Sequence, residues 1–406
     1  MDITSNQIEA IVRQVLGSMG TTAASAPAGP LPKTAKVAML VDSKKIEVQE
    51  VPIPELGPDD ILVRVEGAGI CGTDVHEWRQ DPFGLMPVVL GHEGTGEVVY
   101  LGSNIKSDTA GKPLKVGDKL VTSVISCGEC YACRMTPGRT NLCDKQGVFG
   151  LIGDKRGTEE GNRANGWFAD YMLIRGHGTT YFQVNELNLK QRMILELACV
   201  CVHALERSQS TGLLNFGSKV LVQGCGPVGL VMITVLRAAG INHIIAVDGN
   251  EDRLKVAERM GAKTTVCFKR PEEDTLEKRA AKVKSVANGV GVDFAFQCTG
   301  APIAAADIYE YIRRGGGMCE MGFFVNNGEY SINPHFAMCN KEINIVGSWD
   351  YSAEDYPKTV AFLKQCAEMN IPIEELITHS FPLDQMNEAM ETNVAQKGIK
   401  ICYIAK

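Results

Sequence analysis

The first twenty residues show a helical spacing of apolar positions. Apolar side chains recur every three or four residues, which places them along one stripe of an α-helix. The stripe consists of Ile8, Ile11, Val12, Val15, Leu16 and Met19. Thr4 and Gln7 have the spacing of a capping box, which satisfies free backbone N–H groups at a helix start. The Pro/Ala/Gly-rich run from Gly20 to Pro32 predicts a flexible linker, so we expect residues 1–32 to form a separate helix and linker.

Two further patterns follow the linker. From Lys36 to about Val99, short alternating or β-branched runs are separated by Gly and Pro, which indicates a β-rich region. Beyond about residue 196, short apolar strands alternate with helical segments, one ending at Ala239 and one containing Arg253–Met260. The strands are Val220–Val222, Ile244–Val247, Asp293–Phe296 and Met318–Met321. This βαβ alternation predicts a parallel, doubly wound α/β sheet, and from about Asn333 the chain returns to mixed short elements.

Charge and hydropathy argue against two classes of protein. The 406 residues include 41 Lys and Arg against 48 Asp and Glu, and the net charge of -7 gives no sign of the basic face of a nucleic-acid binder. The longest apolar stretch, Val220–Leu236, is interrupted by Gln223 and Pro227 and falls short of the roughly 20 residues that span a bilayer. We therefore expect neither a nucleic-acid partner nor a membrane segment.

Cysteine usage is the unusual part of the composition. The N-terminus lacks the basic start and apolar core of a secretory signal, so we expect the protein in the reducing cytoplasm. In that compartment, clustered cysteines more often bind metal or take part in chemistry than form disulfides. The chain has 14 cysteines, so their clustering is informative.

Four cysteines lie within 17 residues: Cys127, Cys130, Cys133 and Cys143. Two successive C-x2-C steps and a fourth Cys after the Pro137–Gly138 turn can converge on one tetrahedral, closed and therefore structural zinc ion. An iron–sulfur cluster also uses four cysteines and is the weaker rival. Four ordinary buried cysteines would leave the spacing to chance.

The segment Gly224–Gly229 reads GCGPVG, a GxGxxG motif. It follows a predicted strand and opens a predicted helix, and Asp248 closes the next strand 19 residues beyond Gly229. Glycines let the backbone approach a pyrophosphate at a helix N-terminus, while the acidic residue binds the ribose hydroxyls. Because Asp248 would repel a 2′-phosphate and Gly249 and Asn250 supply no cation, the motif predicts NAD(H); a glycine-rich turn with an acidic loop residue is the alternative.

A second zinc site is suggested less strongly. Cys71 and His92 suit a zinc ion, and the alternative for each is an ordinary buried cysteine or a loop histidine. Glu93 follows His92 directly, so in an extended segment the two side chains point to opposite sides. Both can bind one metal only if the chain turns there.

Taken together, the motifs resemble those of the zinc-dependent medium-chain alcohol dehydrogenases, most closely the polyol (sorbitol) and threonine dehydrogenase branch. The resemblance is carried by CGTDVH, GHEGTGEV, the four-cysteine segment, GCGPVGL and Cys298–Thr299–Gly300, and it extends over nearly all of residues 35–406. It implies an α/β fold with a GroES-like β-rich catalytic domain and a Rossmann domain. The expected limits are 33–195 with 335–406 for the catalytic domain, its zinc lobe at about 123–145, and 196–334 for the NAD-binding domain.

The resemblance also implies roles for individual residues. The catalytic zinc would be held by Cys71, His92 and Glu93 or Glu196, and the sequence does not decide between the two glutamates. Thr73 and His76 match the relay that removes the hydroxyl proton, and Asp74 matches the carboxylate that orients the zinc-bound histidine. The implied NAD(H) contacts are Gly224, Gly226, Pro227, Val228, Gly229, Asp248, Arg253, Cys298 and Thr299. Trp349 lies where the family often has an aromatic residue near the nicotinamide, although a core tryptophan is nearly as well supported.

We therefore expect an oxidoreductase with two zinc ions per chain that transfers hydride between NAD(H) and a small secondary alcohol or polyol, or the corresponding carbonyl compound. An amino-alcohol dehydrogenase of the L-threonine type is the alternative enzyme, and a fold reused for binding or structure is the alternative without catalysis. By resemblance we expect a homo-oligomer, either dimer or tetramer.

Two segments depart from the family pattern. The four-cysteine lobe is two residues longer between its last two cysteines than is usual in the family. The polar loop 153–165 is enlarged, and it is either a specificity element or solvated surface.

The N-terminal helix is similar to the encapsulation peptides that carry enzymes into bacterial microcompartments. A short amphipathic helix on a linker is marginal in water and needs a partner surface for its stripe. We expect residues 1–20 to dock on a shell or cargo protein, which would place the enzyme in a microcompartment lumen. Packing on its own subunit and oligomerisation are the alternatives.

Overall fold

The computed structural model describes residues 30–152 and 162–406. The predicted N-terminal helix lies outside the described residues, as does the linker up to residue 29. Of the polar loop 153–165, only residues 162–165 are described.

The described residues form strands and helices in the following order. The strands are β1 (Thr34–Asp42), β2 (Lys45–Pro52), β3 (Ile61–Gly69), β4 (Val88–Val89), β5 (Glu93–Leu101), β6 (Lys119–Thr122), β7 (Tyr171–Ile174), β8 (Tyr181–Gln183), β9 (Lys219–Gln223), β10 (His243–Asp248), β11 (Thr264–Cys267), β12 (Val292–Gln297), β13 (Ile312–Glu320), β14 (Asn344–Gly347), β15 (Ile377–Phe381) and β16 (Lys400–Ile404). The α-helices are α1 (Gly72–Gln80), α2 (Tyr131–Met135), α3 (Leu189–Gln209), α4 (Pro227–Ala238), α5 (Glu251–Met260), α6 (Leu276–Val286), α7 (Pro302–Asp307), α8 (Asp355–Glu368) and α9 (Met386–Val394).

The predicted parallel sheet is confirmed. Its six strands lie in the order β11-β10-β9-β12-β13-β14, and every neighbouring pair is parallel. This is the doubly wound order in which the strand sequence reverses direction between the first and fourth strands, here β9 and β12. The point of reversal lies directly below the glycine motif, which follows β9. The parallel ladder continues into β14, past residue 334, because β14 pairs with β13.

The β-rich, GroES-like part is also confirmed. One sheet follows the path β15-β16-β3-β5-β6-β8, with β7 paired to β3, and a smaller sheet has the order β2-β1-β4. β16 pairs antiparallel with β3, so the end of the chain returns to the region where the chain began. This return brings Lys400, at the start of β16, close to the residues that follow β3.

Helix α3 connects the two regions. Its N-cap, Asn188, accepts a hydrogen bond from the backbone N–H of Gln191 at 3.1 Å. The helix is buried along most of its length, and it packs against α4, α8 and β5. Glu196 therefore projects from the first half of a helix that lies between the parallel sheet and the β-rich part. Among the described residues, no helix combines the length and apolar character needed to cross a membrane.

Candidate active site

The four lobe cysteines converge in the structure. Their sulfur atoms all lie within 4.8 Å of one another, and the sulfurs of Cys127 and Cys133 are 4.0 Å apart. Sulfurs bound tetrahedrally to one zinc ion at about 2.3 Å would be separated by roughly 3.8 Å. The cluster therefore fits a single closed zinc site, and Cys143 is buried while the other three are half-buried.

Backbone N–H groups point at these sulfurs. Cys130 N donates to Cys127 Sγ at 3.4 Å, and both Cys127 N and Lys145 N donate to Cys143 Sγ at 3.3 Å. Donation from the backbone of Glu129 and Cys130 lowers the pKa of Cys127 to about 6. Since the thiolate is the form that binds metal, this backbone geometry favours metal binding.

The second group forms where α1 begins. Cys71 is the N-cap residue of α1, and its backbone N–H donates to Asp74 Oδ2 at 2.9 Å. The other oxygen of Asp74 accepts from Gly91 N at 3.2 Å and lies 3.3 Å from His92 Nδ1. Asp74 thus fixes both Cys71 and His92, the arrangement expected of a carboxylate that orients a metal ligand.

The chain does turn at His92, as simultaneous binding by His92 and Glu93 requires. Gly91 has a φ of +93°, which favours glycine, and His92 lies in a bend immediately before β5. As a result one ligand atom each from Cys71, His92 and Glu93 lies within 4.8 Å of the others.

Glu93 occupies a space left by a glycine. Gly69 pairs with Glu93 across β3 and β5, and a Cβ at Gly69 would overlap the Glu93 carboxylate and the Lys400 side chain. Lys400 Nζ forms an ion pair with Glu93 Oε2 and donates to Ile70 O at 3.0 Å. Glu93 Oε1 is buried and has no hydrogen-bond partner among the described residues, which leaves it available to a metal ion.

The charge of this group also fits a cation. Burial opposes protonation of His92, but the negative charges of Asp74 and Cys71 raise its pKa well above the ordinary value. An excess of negative charge in a buried site favours a divalent cation. The donor set of thiolate, imidazole and carboxylate is one that zinc accepts.

Glu196 lies beside this group but outside it. Its side chain is buried and lines the same cavity, whereas the group within 4.8 Å contains only Cys71, His92 and Glu93. Burial and the nearby charge of Glu93 raise the pKa of Glu196 to about 8, while a hydrogen bond from Tyr351 acts in the opposite direction. In this structure, the geometry therefore favours Glu93 as the third ligand.

The glycine motif fits a dinucleotide. Gly224 has a φ of +92°, and a Cβ at Gly229 would overlap the carbonyl oxygen of Gly224, so both positions require glycine. A Cβ at Gly226 would meet nothing within 4 Å, and Gly226 caps α4, which starts at Pro227. Open space above a helix N-terminus is where a pyrophosphate binds.

The remaining predicted nucleotide residues surround this loop. Asp248, at the end of β10, accepts from Cys225 N at 2.7 Å and from Asn250 N at 2.8 Å. These bonds hold the carboxylate in place and still leave lone pairs for ribose hydroxyls. Arg253 lies in the first turn of α5. After β12, Cys298 N donates to Gln223 O at 2.9 Å, and Thr299 lies against Gly224.

One cavity of about 300 Å³ joins the two parts of the site. Cys71, His92 and Glu93 line one side, and Val228 and Cys298 line the nucleotide side. The cavity is also lined by Thr73, His76 and Glu196, and by a wall that contains Trp349 and Phe324. Trp349 is 45% exposed, so the alternative that it is a core residue is wrong.

The two residues predicted to form the proton relay, Thr73 and His76, both line the cavity. Thr73 Oγ1 lies 3.6 Å from Cys71 Sγ, and His76 is half-buried one helical turn further along α1. Burial and the charge of Arg79 lower the pKa of His76, which keeps the imidazole neutral and able to accept a proton.

The sequence motifs do not include three residues in or around this site: Lys400, Asp350 and Gln146. Lys400 reaches Glu93 only because β16 pairs with β3, and Asp350 reaches the cavity because it follows β14 and Trp349. A charged residue at the start of an otherwise apolar strand, as Lys400 is, was the available signal for a buried ion pair.

Comparison with known proteins gives consistent matches. Residues 57–183 match the family described as alcohol dehydrogenase GroES-like domain, and residues 227–365 match the zinc-binding dehydrogenase family. The chain is 30% identical over 366 residues to the sorbitol dehydrogenase of Bacillus subtilis (strain 168), covering 89% of this chain and 94% of that protein. It is 32% identical over 362 residues to the D-xylulose reductase A of Aspergillus niger, covering 88% and 92%. The alcohol dehydrogenase structure from Thermotoga maritima superimposes with a TM-score of 0.83 at 28% identity, covering 92% of this chain and 100% of that one.

Proposed function

Since the chain belongs to the zinc-dependent medium-chain alcohol dehydrogenase family, whose members use zinc and a Rossmann domain that binds NAD, we propose that it oxidises a small secondary alcohol or polyol, or reduces the corresponding carbonyl compound. The observation that carries the proposal is the cavity lined at one side by Cys71, His92 and Glu93 and at the other by the residues of the nucleotide loop. Hydride transfer requires the alcohol carbon and the nicotinamide to meet in such a space.

We assign the residues as follows. Zinc would be held by Cys71, His92 and Glu93, with Glu196 near enough to replace Glu93 after a side-chain movement. The lobe cysteines would hold the second zinc ion. When bound, the catalytic zinc polarises the alcohol oxygen and NAD+ accepts the hydride.

The remaining roles concern the proton and the cofactor. Thr73 and His76 would carry the hydroxyl proton from the cavity to the surface along α1, and Asp74 would hold His92 in its binding orientation. Asp248 would bind the adenosine ribose, and Gly224, Gly226 and Gly229 would give the pyrophosphate access to the start of α4. Arg253, Pro227, Val228, Cys298 and Thr299 would complete the cofactor contacts.

The polyol assignment is supported by the relatives. Both curated relatives named above act on polyols or the matching ketose according to their names, and they cover most of this chain. An amino-alcohol substrate of the L-threonine type is the second candidate; the carboxylates of Glu320 and Asp350 in the cavity would favour its ammonium group and disfavour its carboxylate.

A substrate panel tests the proposal. NADH formation is followed at 340 nm with sorbitol, xylitol, small diols, amino alcohols and L-threonine, in wild-type protein and in Cys71→Ser. We expect turnover of at least one alcohol by the wild type and loss of turnover in Cys71→Ser. As the control, Cys339→Ser removes an exposed cysteine outside both metal groups and should retain activity. No turnover of any alcohol by zinc-loaded wild-type protein would contradict the proposal.

We further propose that the protein is a cytoplasmic homo-oligomer and that residues 1–20 direct it to a bacterial microcompartment. Oligomerisation is supported by β14, which ends the parallel sheet of the described residues with Ile345 46% exposed. Compartment targeting is supported only by the apolar stripe and the linker in the sequence.

A further inference from the structure

The cavity has a wall formed by the chain immediately after β14. Ser348, Trp349 and Asp350 line the same cavity as the metal group. The ring of Trp349 stacks on Phe324 with centroids 4.7 Å apart and planes 10° apart. Asp350 follows the aromatic pair directly, so an apolar surface and a carboxylate lie side by side.

Asp350 is held in place by the four-cysteine lobe. Gln146, three residues after Cys143, donates from Nε2 to Asp350 Oδ2 and accepts at Oε1 from Trp349 Nε1 at 3.3 Å. Asn141, also in the lobe, donates to Trp349 O at 2.8 Å. One amide side chain therefore fixes both the aromatic ring and the carboxylate of this wall.

The backbone of Asp350 is itself unusual. Its φ is 52°, a left-handed conformation that non-glycine residues adopt infrequently. Such a conformation persists where surrounding contacts determine it; here Gln146 binds the Asp350 side chain and Asn141 binds the preceding carbonyl oxygen, that of Trp349. The fold therefore determines the position of the Asp350 carboxylate.

Carboxyl groups are the most numerous ionisable groups around the cavity. Those of Glu93, Glu196, Glu320 and Asp350 line it together with the imidazoles of His76 and His92, and among the described residues no Arg or Lys does. Because its pKa is raised to about 8, Glu196 is largely protonated at neutral pH and adds little charge. Lys400 offsets the charge of Glu93, and Glu320 Oε1 accepts from Gly322 N at 2.9 Å. Partial removal from water raises the pKa of Asp350 to about 6, so its ionised form would gain from a donor supplied by a ligand. An ionised carboxylate only accepts hydrogen bonds, and it repels anions.

We propose that Asp350 is a specificity-determining residue that accepts a hydrogen bond from a second donor group, a hydroxyl or an ammonium, on the carbon next to the reacting carbinol carbon. This inference rests on the proposed function of the cavity and adds the residue that selects among its candidate substrates: Asp350 would favour vicinal diols, polyols and amino alcohols over simple alcohols, and would disfavour hydroxy acids that lack an ammonium group. The stacked pair of Trp349 and Phe324 covers the apolar face of the substrate and strengthens the attraction of an ammonium group.

Four substrates of nearly equal shape test the proposal. They are 1,2-propanediol, 1-amino-2-propanol, 2-butanol and lactate. All four contain a CH3–CH(OH) unit; the first three differ only in the group on the neighbouring CH2 carbon, and in lactate that carbon is a carboxylate. We expect the wild type to use the diol, the amino alcohol or both at least about tenfold better than 2-butanol in kcat/KM, since a hydrogen bond to a charged group contributes on that order. Lactate should be used least. The ranking of the diol against the amino alcohol identifies which donor is the better match.

The variant Asp350→Asn keeps the shape and removes the charge. It should reduce the preference over 2-butanol several-fold for the diol and more for the amino alcohol, while kcat/KM for 2-butanol stays within about twofold. Gln146→Leu, which leaves Asp350 in the chain but removes its anchor, should also weaken the preference and spare 2-butanol. Glu354→Gln removes an exposed charge outside this cavity and should leave all four ratios unchanged.

Other outcomes overturn the inference. If Asp350→Asn lowers kcat/KM equally for all four substrates, Asp350 acts on the fold and not on selection. If the wild type does not distinguish the diol or amino alcohol from 2-butanol, the substrate class is wrong while the proposed oxidation of secondary alcohols stands. If the wild type oxidises none of these or the polyols, the proposed function fails, and this inference fails with it.

Discussion

The ammonium group of Lys400 on β16 lies against the carboxylate of Glu93 on β5, and both side chains are almost fully buried. Gly69, between them in the sheet, provides the space that the pair needs. Burying a charge away from water costs free energy, and the attraction between the two charges offsets part of that cost. If one partner is removed, the other remains buried without this compensation. The pair therefore couples the last strand of the chain to the residue that is proposed to bind zinc.

Replacing Lys400 by Met should destabilise the metal-free protein by about 3–5 kcal/mol, because it leaves the Glu93 carboxylate buried without a cation. Urea unfolding of metal-depleted protein measures the change. The double variant Lys400→Met/Glu93→Gln should recover much of the loss, since no buried charge then remains unpaired. Additive losses in the two single variants and the double variant would show that the two side chains do not interact.

Metal content should separate the two zinc groups. Wild-type protein should contain two zinc ions per chain by atomic emission, and Cys71→Ser and Cys130→Ser should each contain about one. Each variant removes one ligand from a different group of converging side chains. Cys339→Ser, which lies outside both groups, should retain two. A single zinc ion in the wild type, removable without loss of NAD-dependent turnover, would contradict the catalytic site.

The fold was largely predictable because strands buried on both faces of a parallel sheet have short, continuous apolar sequences. Val220–Val222 and Ile244–Val247 lie within β9 and β10. The first half of β13 was missed: the strand begins at Ile312 and runs through Arg313 and three consecutive glycines, which have low strand propensity. In this half only Ile312 pairs with β12; regular pairing with β12 and β14 begins at Gly317, and Gly315 has a φ of +66°, so the glycines accommodate an irregularity in the strand.

The site was predictable where its residues are close in the chain. The short spacing of the four lobe cysteines is sufficient to predict that their sulfur atoms converge, and the structure brings these atoms together. Contacts between distant segments were not predictable in this way. Gln146 reaches Asp350 through packing of the lobe, and Lys400 reaches Glu93 through pairing of β16 with β3. The charge at the start of the apolar strand β16 indicates that Lys400 needs a buried partner, but no local pattern identifies that partner.

Asp248 should set the cofactor preference. Asp248→Ala should lower kcat/KM for NAD+ by about tenfold to a hundredfold, because hydrogen bonds from ribose hydroxyls to a charged group are lost. The same change removes a charge that repels a 2′-phosphate, so use of NADP+ should rise relative to NAD+. Initial rates with both cofactors give the ratio. Asp252→Ala removes an exposed acidic residue four positions further along, in the first turn of α5, and should leave the ratio unchanged. An unchanged ratio in Asp248→Ala would argue against the ribose contact.

The acidic limb of the pH profile should depend on Arg79. Burial and the positive charge of Arg79 lower the pKa of His76, so the imidazole stays neutral, and able to accept a proton, down to lower pH. Arg79→Gln removes the charge, which should raise the pKa of His76 and move the acidic limb of kcat for alcohol oxidation to higher pH. Arg79→Lys keeps a positive charge and should retain the wild-type profile. A limb that stays in place in Arg79→Gln would show that His76 does not set it.

The apolar stripe of residues 1–20 should be needed for localisation to microcompartments but not for catalysis. Deleting residues 1–30 should preserve kcat and KM, because this segment lies outside the residues proposed to bind zinc, NAD(H) and substrate, but it should abolish co-purification of a fluorescent fusion with microcompartments. Val12→Glu places a charge on the apolar stripe and should act like the deletion, since burying that charge against a partner surface is costly. Gln14→Glu adds the same charge off the stripe and should be retained in the compartments. Equal retention of Val12→Glu and Gln14→Glu would show that the stripe does not dock, and retention of the deletion would exclude targeting by this segment.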